Sequence, residues 1–189
     1  MRIIRAADCK VMPWKNGGGT TTEIAVSPEG ASLDNFDWRI AMAHVAQDGP
    51  FSAFPGIDRT LCVLTGNGIR LAFGDGAAVM LERASGPYFF AADRAVDGEL
   101  TDGEIDDLNV MSRRGRWQHE VQRFSSPGQQ AFAVDTGLVV AFAHQGDWRA
   151  NGSVLMPGDS AITEASPAHP LHLEGRGDLI VVKLTPAAS

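Results

Sequence analysis

Three arginines on or next to candidate β-strands carry the chemistry needed to hold an anion. They are Arg39, Arg59 and Arg113. A guanidinium presents its N–H groups as a planar fork that matches a carboxylate, and each charged hydrogen bond contributes about 1.5–3 kcal/mol. For Arg39, an ion pair with Asp37 or Glu23 is the common alternative. The three arginines predict a site for a small anionic ligand.

A second group of polar and aromatic residues precedes a glycine triplet. Trp14, Lys15 and Asn16 are followed by three glycines at residues 17–19. Glycine tolerates positive φ and close approach of other groups, so this segment predicts a shaped loop. We expect Trp14 to stack on the ligand and Asn16 to hydrogen-bond it, with Lys15 at the mouth of the site. The alternative is a flexible entry into the first strand.

The segment 107–113 alternates as a β-strand would. Its alternation places Asp107, Asn109, Met111 and Arg113 on one face, and apolar or small residues on the other. A polar face with a methionine fits a ligand cavity, which would include Asn109, Met111 and Arg113, but alternation alone does not tell which face is inside. The alternative is that this face points to solvent.

Short apolar or alternating runs recur along the whole chain, whereas helical periodicity is weak. Candidate strands cover residues 20–26, 38–46, 60–65, 69–73, 77–81, 88–91, 108–113, 119–124, 130–134, 138–144, 149–156, 160–163, 171–174 and 178–184. Glycine-rich turns are expected at residues 65–68 (a hairpin), 74–76, 145–147 and 175–177. The pattern predicts an all-β barrel or sandwich protein.

The overall charge limits the classes of partner. The chain of 189 residues has 16 Lys and Arg against 23 Asp and Glu, a formal net charge of −7. This balance argues against nonspecific binding to nucleic acid or anionic membrane, so an anion must be held locally. Cys9 and Cys62 have no metal spacing and are expected to be reduced. No signal-peptide pattern or membrane-spanning run is apparent, so a cytoplasmic location is expected.

An approximate internal repeat divides the sequence. A strand, a glycine turn and a second strand over residues 60–71 recur over residues 137–155, followed by the turn MPGDS at 156–160. Pro-Gly-Asp between short strands is frequent in cupins, where Pro and Gly satisfy a type II turn. Two such halves would make a bicupin.

Four blocks form a distinctive set within the first 115 residues. They are PWKNGGGT at 13–20, FDWRI at 36–40, GPFSAFPGIDR at 49–59 and DLNVMSRRG at 107–115. Together they resemble the HutD/Ves family, bicupin-like proteins associated with bacterial histidine utilisation. The resemblance implies one bicupin unit of two jelly-roll barrels over residues 1–189, with the pocket in an N-terminal half over 1–115 and a C-terminal half over 116–189.

Metal-dependent cupins use a His-x-His pair, a following Glu and a later His. The expected Glu position falls at or near Arg59, and the segment SAFPG at 52–56 stands where the histidine pair would lie. None of the five histidines pairs with another at i, i+2: His44, His119, His144, His169 and His172. His144 and His172 could meet across the second barrel, although a structural or surface histidine is the commoner case. We expect no metal and no other cofactor.

Three functional hypotheses remain open at this point. The preferred one is a metal-free bicupin that binds a small carboxylate, with a homodimer as one candidate assembly. The family resemblance suggests urocanate or formylglutamate and a regulatory role. The second is a metal-independent isomerase or hydrolase that uses Asp58 or Glu23 as base and Arg59 to stabilise an oxyanion. The third is a partner-binding scaffold with a closed core.

Overall fold

Nearly all regular structure in the chain is β-strand. The computed structural model describes residues 1–125, 128–164 and 166–187. Its strands are β1 (Arg2–Ile4), β2 (Lys10–Pro13), β3 (Gly19–Ser27), β4 (Trp38–Val45), β5 (Gly49–Pro50), β6 (Ile57–Thr65), β7 (Ile69–Phe73), β8 (Ala78–Leu81), β9 (Tyr88–Ala91), β10 (Val96–Leu100), β11 (Ile105–Arg113), β12 (Trp117–Phe124), β13 (Gly128–Phe132), β14 (Leu138–Ala150), β15 (Ser153–Leu155), β16 (Ser160–Thr163) and β17 (Leu171–Pro186). A 3-10 helix spans Ala6–Asp8, and the described residues contain no α-helix. The all-β prediction is confirmed. None of the helical structure in these ranges has the length and apolar character needed to cross a membrane.

Contacts between residues divide the chain into two compact units. One unit is Lys10–Arg114, called the N-terminal unit below, and the other joins Met1–Cys9 to Gly115–Ser189 and is called the C-terminal unit. This division differs from the one predicted from the sequence, because the first nine residues belong to the C-terminal unit.

The N-terminal unit consists of two sheets. One has six strands in the order β2-β3-β4-β11-β6-β9, and the other has four in the order β5-β10-β7-β8. Buried apolar side chains from both sheets form one cluster, which includes Val63 of β6, Leu71 of β7 and Val96 of β10. A second, smaller cluster contains Phe36, Ile57, Ala92 and Met111. The space between the sheets is therefore the interior of this unit.

The C-terminal unit is one sheet in the order β1-β16-β14-β17-β12, with β13 paired to β17 and β15 paired to β14. Its interior is a cluster of apolar side chains that includes Val139, Ala141, Leu179 and Val181. The strand β1 joins this sheet because Ile3 is opposite Ala161 of β16 in the antiparallel register.

The carboxylate of Asp159 connects the amino-terminal segment to the rest of this unit. It accepts hydrogen bonds from the backbone N–H of Ala6 at 2.9 Å and of Met156 at 3.0 Å, and from the Arg5 guanidinium at 2.6 Å. These donors hold the pKa of Asp159 below its usual range in spite of its burial. The predicted turn over residues 156–160 is confirmed, since Asp159 N donates to Met156 O at 2.9 Å and Gly158 has a positive φ of 88°.

Two segments predicted as turns are paired strand instead. Residues 145–147 and 175–177 lie opposite each other within the continuous strands β14 and β17, where Gly146 faces Gly177. A Cβ atom at Gly146 would lie 2.1 Å from the carbonyl oxygen of Arg176. These glycines therefore mark a close approach of two backbones beside a register shift, and not a reversal of the chain.

The predicted hairpin over residues 65–68 is also wrong. This segment connects β6 in the six-stranded sheet to β7 in the four-stranded sheet, and the two strands do not pair. The hairpin of this region is formed by β7 and β8 around the turn at residues 74–76, where Gly76 N donates to Phe73 O at 2.9 Å. Glycine-rich sequence alone does not distinguish a hairpin from a crossing between sheets.

Candidate functional site

The strand β11 lies between β4 and β6 at the centre of the six-stranded sheet. Met111 is opposite Arg39 of β4 and also opposite Arg59 of β6. Because alternate residues of a strand share a face, Arg39, Arg59, Asp107 and Asn109 all project into the interior of the N-terminal unit. Their buried positions agree with this placement.

Arg59 is held by an amide and two aromatic rings. Its Nε donates to Oδ1 of Asn109 at 2.8 Å, and its Nη2 donates to the same oxygen. The guanidinium lies over the ring of Phe51 at 4.6 Å from the centroid and 5.7 Å from that of Phe90. Gly98 allows this packing, since a Cβ there would be 2.7 Å from a ring carbon of Phe51. Stacking and an amide therefore position Arg59, with no direct ion pair among the described residues.

The amide of Asn109 connects Arg59 to Asp107. Its Nδ2 donates to Oδ1 of Asp107, a carboxyl that has no exposed surface. The other oxygen, Oδ2, is enclosed and has no hydrogen-bond partner among the described residues. Burial raises the pKa of Asp107 to about 7, against the lowering effects of Arg59 and Asn109. Burial also lowers the pKa of Arg59 to about 10, opposed by Asp107 and assisted by Arg39.

Arg39 has a carboxylate partner at the edge of the same interior. Its Nε donates to Oε2 of Glu23 on β3 at 2.8 Å, and the side chains are 7% and 25% exposed. We call Glu23, Arg39, Arg59, Asp107 and Asn109 the polar cluster. Glu23 was named in the sequence analysis as one partner for Arg39, and the structure selects it over Asp37.

Several N–H groups of the two guanidiniums have no acceptor in the part of the chain that the structure describes. Arg59 donates through Nε and Nη2, and Arg39 donates through Nε. Nη1 of Arg59 and both terminal nitrogens of Arg39 therefore bind no acceptor among the described residues, although none of the three is fully enclosed. Since a guanidinium carries five N–H donors, these nitrogens keep donors that are not fully enclosed by protein.

Small side chains of β4 lie beside Asn109 and Asp107 in the sheet. Ala41 is opposite Asn109, and Ala43 is opposite Asp107. On the far side of β4, Thr21 of β3 is opposite Ala43 and accepts a hydrogen bond from Nε1 of Trp14 at 2.8 Å. The register thus places Ala41 and Ala43 next to the polar cluster on the same face of the sheet. Trp14, bonded to Thr21 of β3, is two strands away from Asp107.

The structure separates the predicted loop residues. Trp14 is half-buried against the apolar cluster between the sheets. Gly19 is required chiefly because a Cβ there would be 2.1 Å from the carbonyl oxygen of His44, and that Cβ would also be 3.2 Å from the indole ring. Lys15 and Asn16 are exposed, and Oδ1 of Asn16 accepts the N–H of Gly18 at 3.1 Å. Asn16 therefore shapes the turn, and only Trp14 reaches the interior face.

Met111 lies between Arg39 and Arg59 in the sheet register but makes apolar contacts, and Arg113 hydrogen-bonds outside the polar cluster. Met111 packs in the smaller apolar cluster with Phe36 and Ile57. The side chain of Arg113 donates to the backbone carbonyls of Phe36 at 2.9 Å and Asp34 at 3.3 Å. The alternation along β11 was predicted correctly. Met111 and Arg113, however, contact the segment that precedes β4, through Phe36 and Asp34.

Sequence reasoning missed the contribution of Phe51. It lies in the block at residues 49–59, where two phenylalanines flank small residues, and its stacking on Arg59 depends on Gly98, which is distant in sequence. A glycine in the centre of the alternating strand β10 is the signal that could have indicated a ring packed on the strand.

A surface cavity of about 600 Å³ lies in the C-terminal unit. Its lining includes Glu164, His169 and His172. Within the described residues, no group of three or more His, Cys, Asp and Glu side chains is placed to hold a metal ion. His144 is elsewhere, with its ring stacked on Phe142.

The sheet arrangement is shared with solved cupins. A cupin 2 conserved barrel domain protein from Leptotrichia buccalis superposes with a TM-score of 0.55 at 12% identity, covering 93% of this chain and 92% of that chain. At this identity the likeness shows the fold alone. The protein is all-β and its fold is cupin-like.

The sequence carries the likeness further. The family profile HutD matches residues 6–181, and the chain belongs to the HutD family. A Pseudomonas putida protein described as an uncharacterised 21.2 kDa protein in the hutC 3′ region is 34% identical over 141 residues, or 75% of this chain and 73% of the relative. Protein Ves of Citrobacter koseri is 32% identical over 183 residues, or 94% and 92%.

A solved structure of HutD from Pseudomonas fluorescens SBW25 (formate condition) has a TM-score of 0.86 at 29% identity and covers 99% of both chains. The resemblance inferred from the four sequence blocks is therefore confirmed.

Proposed function

We propose that this protein is a bicupin whose N-terminal unit binds a small carboxylate metabolite in the cytoplasm and thereby takes part in regulating histidine utilisation. The observation that carries the proposal is the set of unpaired, accessible N–H donors on Arg39 and Arg59. Two guanidiniums that converge on one interior face and keep free donors are suited to a planar anion.

Energetics favour a ligand role for these two cations. Burying a charge is costly unless it is paired, and Arg59 is nine-tenths buried with only an amide as its direct hydrogen-bond partner among the described residues. A carboxylate that accepts two or three charged hydrogen bonds would contribute about 1.5–3 kcal/mol for each. Such a ligand would offset part of the desolvation cost of Arg59 when it binds.

The position of Trp14 supports a ligand with a planar or apolar part beside its carboxylate. The indole hydrogen-bonds Thr21, which is opposite Ala43 and shares its face of the sheet. Urocanate has such a planar part, and formylglutamate has an amide-bearing chain. The association with histidine utilisation itself comes from the family and from the names of the relative in the hutC 3′ region and of HutD.

Binding is better supported than turnover. Of the two bases considered in the sequence analysis, Asp58 accepts a hydrogen bond from Arg114 at 2.8 Å and lies on the opposite strand face from Arg59. The other, Glu23, is engaged by Arg39. A metal-independent isomerase or hydrolase would need one of these carboxylates released from its partner before it could act as a base.

The test is calorimetric titration of the protein with formate, urocanate, N-formylglutamate, glutamate and histidine. Arg39→Gln and Arg59→Gln should each weaken binding of a carboxylate hit by at least tenfold, because each removes charged donors. Arg70→Gln is the matched control, since Arg70 pairs with Glu99 at the surface of the same unit. Arg113→Gln should leave affinity unchanged. Equal affinity in all four folded variants would refute the site.

A further inference from the structure

Asp107 is the member of the polar cluster that a ligand would reach only through other residues, Arg59 and Asn109. It has no exposed surface, and the enclosed Oδ2 has no hydrogen-bond partner among the described residues. Its other oxygen accepts from Asn109, whose amide oxygen in turn accepts from Arg59. A carboxyl in this position neither touches solvent nor reaches the accessible donors of Arg39. Its charge state can still respond to what binds there.

The charges of the polar cluster depend on that carboxyl. When Asp107 is ionised, the two guanidiniums face two carboxylates, those of Glu23 and Asp107. When Asp107 is protonated, one positive charge remains, which matches one incoming carboxylate. In an interior of low dielectric, two carboxylates that share one cation cannot both remain ionised without large cost.

We propose that the polar cluster takes up a proton on Asp107 when it binds a carboxylate, so that the ligand enters as a single negative charge accompanied by a proton. This inference rests on the proposed carboxylate-binding function. It deepens that function, because it defines the part of the ligand inside the cluster. That part carries one carboxylate, and the other ligand atoms near Arg59 are uncharged.

The surroundings of Asp107 favour its protonation as the response to the negative charge that a bound carboxylate adds. On the neighbouring strands its opposite residues are Ala43 and Val63, which offer no charge. The charged groups that act on it are Arg59, which stabilises the carboxylate, and Asp106, which opposes it. Arg39 and Glu23 on β4 and β3 form their own pair. The facing sheet contributes apolar side chains to the same interior, among them Leu71.

The free carboxyl is already close to titration near neutral pH. With a pKa of about 7, Asp107 is ionised in about half of the ligand-free molecules at pH 7 and in about nine-tenths of them at pH 8. If the bound ligand keeps Asp107 protonated, these are the fractions of molecules that take up a proton on binding. The apparent Kd should therefore rise toward tenfold for each pH unit above pH 7.5, and it should change little below pH 6.

The experiment is calorimetric titration with formate and acetate, which stay ionised throughout the range from pH 6 to 8.5. Titrations at pH 8 in phosphate, HEPES and Tris differ in buffer ionisation enthalpy, and the dependence of the observed heat on that enthalpy gives the number of protons taken up. We expect close to one proton for the wild-type protein.

Two variants locate the proton. Asp107→Asn should bind formate without proton uptake and with a Kd that does not depend on pH. Asp106→Asn is the matched control, because Asp106 is the adjacent carboxyl but bonds to His44 and Thr65; it should take up a proton as the wild type does. If Asp107→Asn does not fold, the carboxylic-acid C=O band in the infrared difference spectrum of the wild type on adding formate makes the same distinction.

Each outcome has a defined meaning. Formate binding with no buffer dependence in the wild-type protein would overturn proton coupling and leave carboxylate binding standing. Proton uptake that persists in folded Asp107→Asn would overturn the assignment to Asp107. If neither these probes nor urocanate or N-formylglutamate binds at any pH, the proposed function fails, and this inference fails with it.

Discussion

The interiors of the two units differ in what the central strands direct inward. In the C-terminal unit, β14 and β17 contribute Val139, Ala141, Leu179 and Val181 to an apolar cluster. In the N-terminal unit, β4, β6 and β11 contribute the buried members of the polar cluster, Arg39, Arg59, Asp107 and Asn109. Both units are antiparallel β-structure with a buried core, so the secondary structure does not require the charges. The proposed binding function accounts for the charged groups in the N-terminal interior.

The C-terminal unit also has buried charges, but they are arranged differently. Arg123 and Asp178 form an ion pair in which both side chains are 8% exposed. Asp178 is adjacent to Leu179 on β17, so it lies on the face opposite the apolar cluster. Two hydrogen bonds connect the guanidinium to both carboxylate oxygens. This pair satisfies itself, whereas Arg39 and Arg59 retain accessible donors.

The largest expected effect comes from introducing a charge into the apolar interior. Val181→Asp should destabilise the protein by at least about 4 kcal/mol, because the carboxylate would have no partner in that cluster. Urea unfolding followed by circular dichroism measures the loss. Val181→Ala is the control for lost volume, and it should cost less. Similar stability of the Asp and Ala variants would show that the C-terminal interior tolerates charge.

The reverse exchange makes the N-terminal interior resemble the other one. The triple change Arg59→Met, Asp107→Leu and Asn109→Leu should leave stability unchanged or raise it by about 1–4 kcal/mol, because buried polar groups are replaced by apolar ones of similar size. Carboxylate binding should be lost. Urea unfolding and calorimetry together measure both effects. Retained binding would remove these residues from the site.

A third expectation concerns pH. Burial raises the pKa of Asp107 from 3.8 to about 7, so between these values the folded protein holds a proton that the unfolded chain has released. Stability therefore falls as the pH rises through this interval, by about 1.4 kcal/mol per unit. From pH 5 to pH 8 the wild type should lose about 2–3 kcal/mol relative to Asp107→Asn. A parallel pair of unfolding curves against pH would contradict the buried, protonated carboxyl.

The smallest effects are expected in the loop before β3. Lys15→Ala should change stability by less than about 0.5 kcal/mol, and Asn16→Ala should cost about 0.5–1.5 kcal/mol through its lost turn hydrogen bond. Both should bind a carboxylate hit within twofold of the wild type. Trp14→Ala is the informative comparison, since loss of its stacking surface should weaken binding severalfold. Calorimetry distinguishes these cases.

The sequence predicted those features of the site that depend on neighbouring residues, and it did not predict those that depend on pairing between distant strands. Alternation along residues 107–113 located Asp107 and Asn109 on one face because the period of a strand is local. The partner of Asn109 was not accessible in this way, since Arg59 is brought to it by the register of β6 against β11. Arg113 was assigned to the site because it shares a strand face with Asn109, yet its contacts are with backbone carbonyls.

Glycine had the least reliable meaning in the sequence. At residues 74–76 it forms the expected turn, whereas at Gly146 and Gly177 it accommodates a facing backbone within paired strands. These two uses have the same sequence signature. Only the opposite strand distinguishes them, and its register is set by the fold as a whole.

The pairing of β1 with β16 means that the two units are interleaved along the gene. A break after Arg114 would release a C-terminal fragment whose β16 lacks its neighbour and whose Asp159 lacks Arg5 and the Ala6 N–H. A peptide of residues 1–9 supplied separately should restore that strand. A single recombination junction near residue 114 therefore transfers the N-terminal unit together with residues 1–9, and it leaves the C-terminal unit composed of two parental sequences.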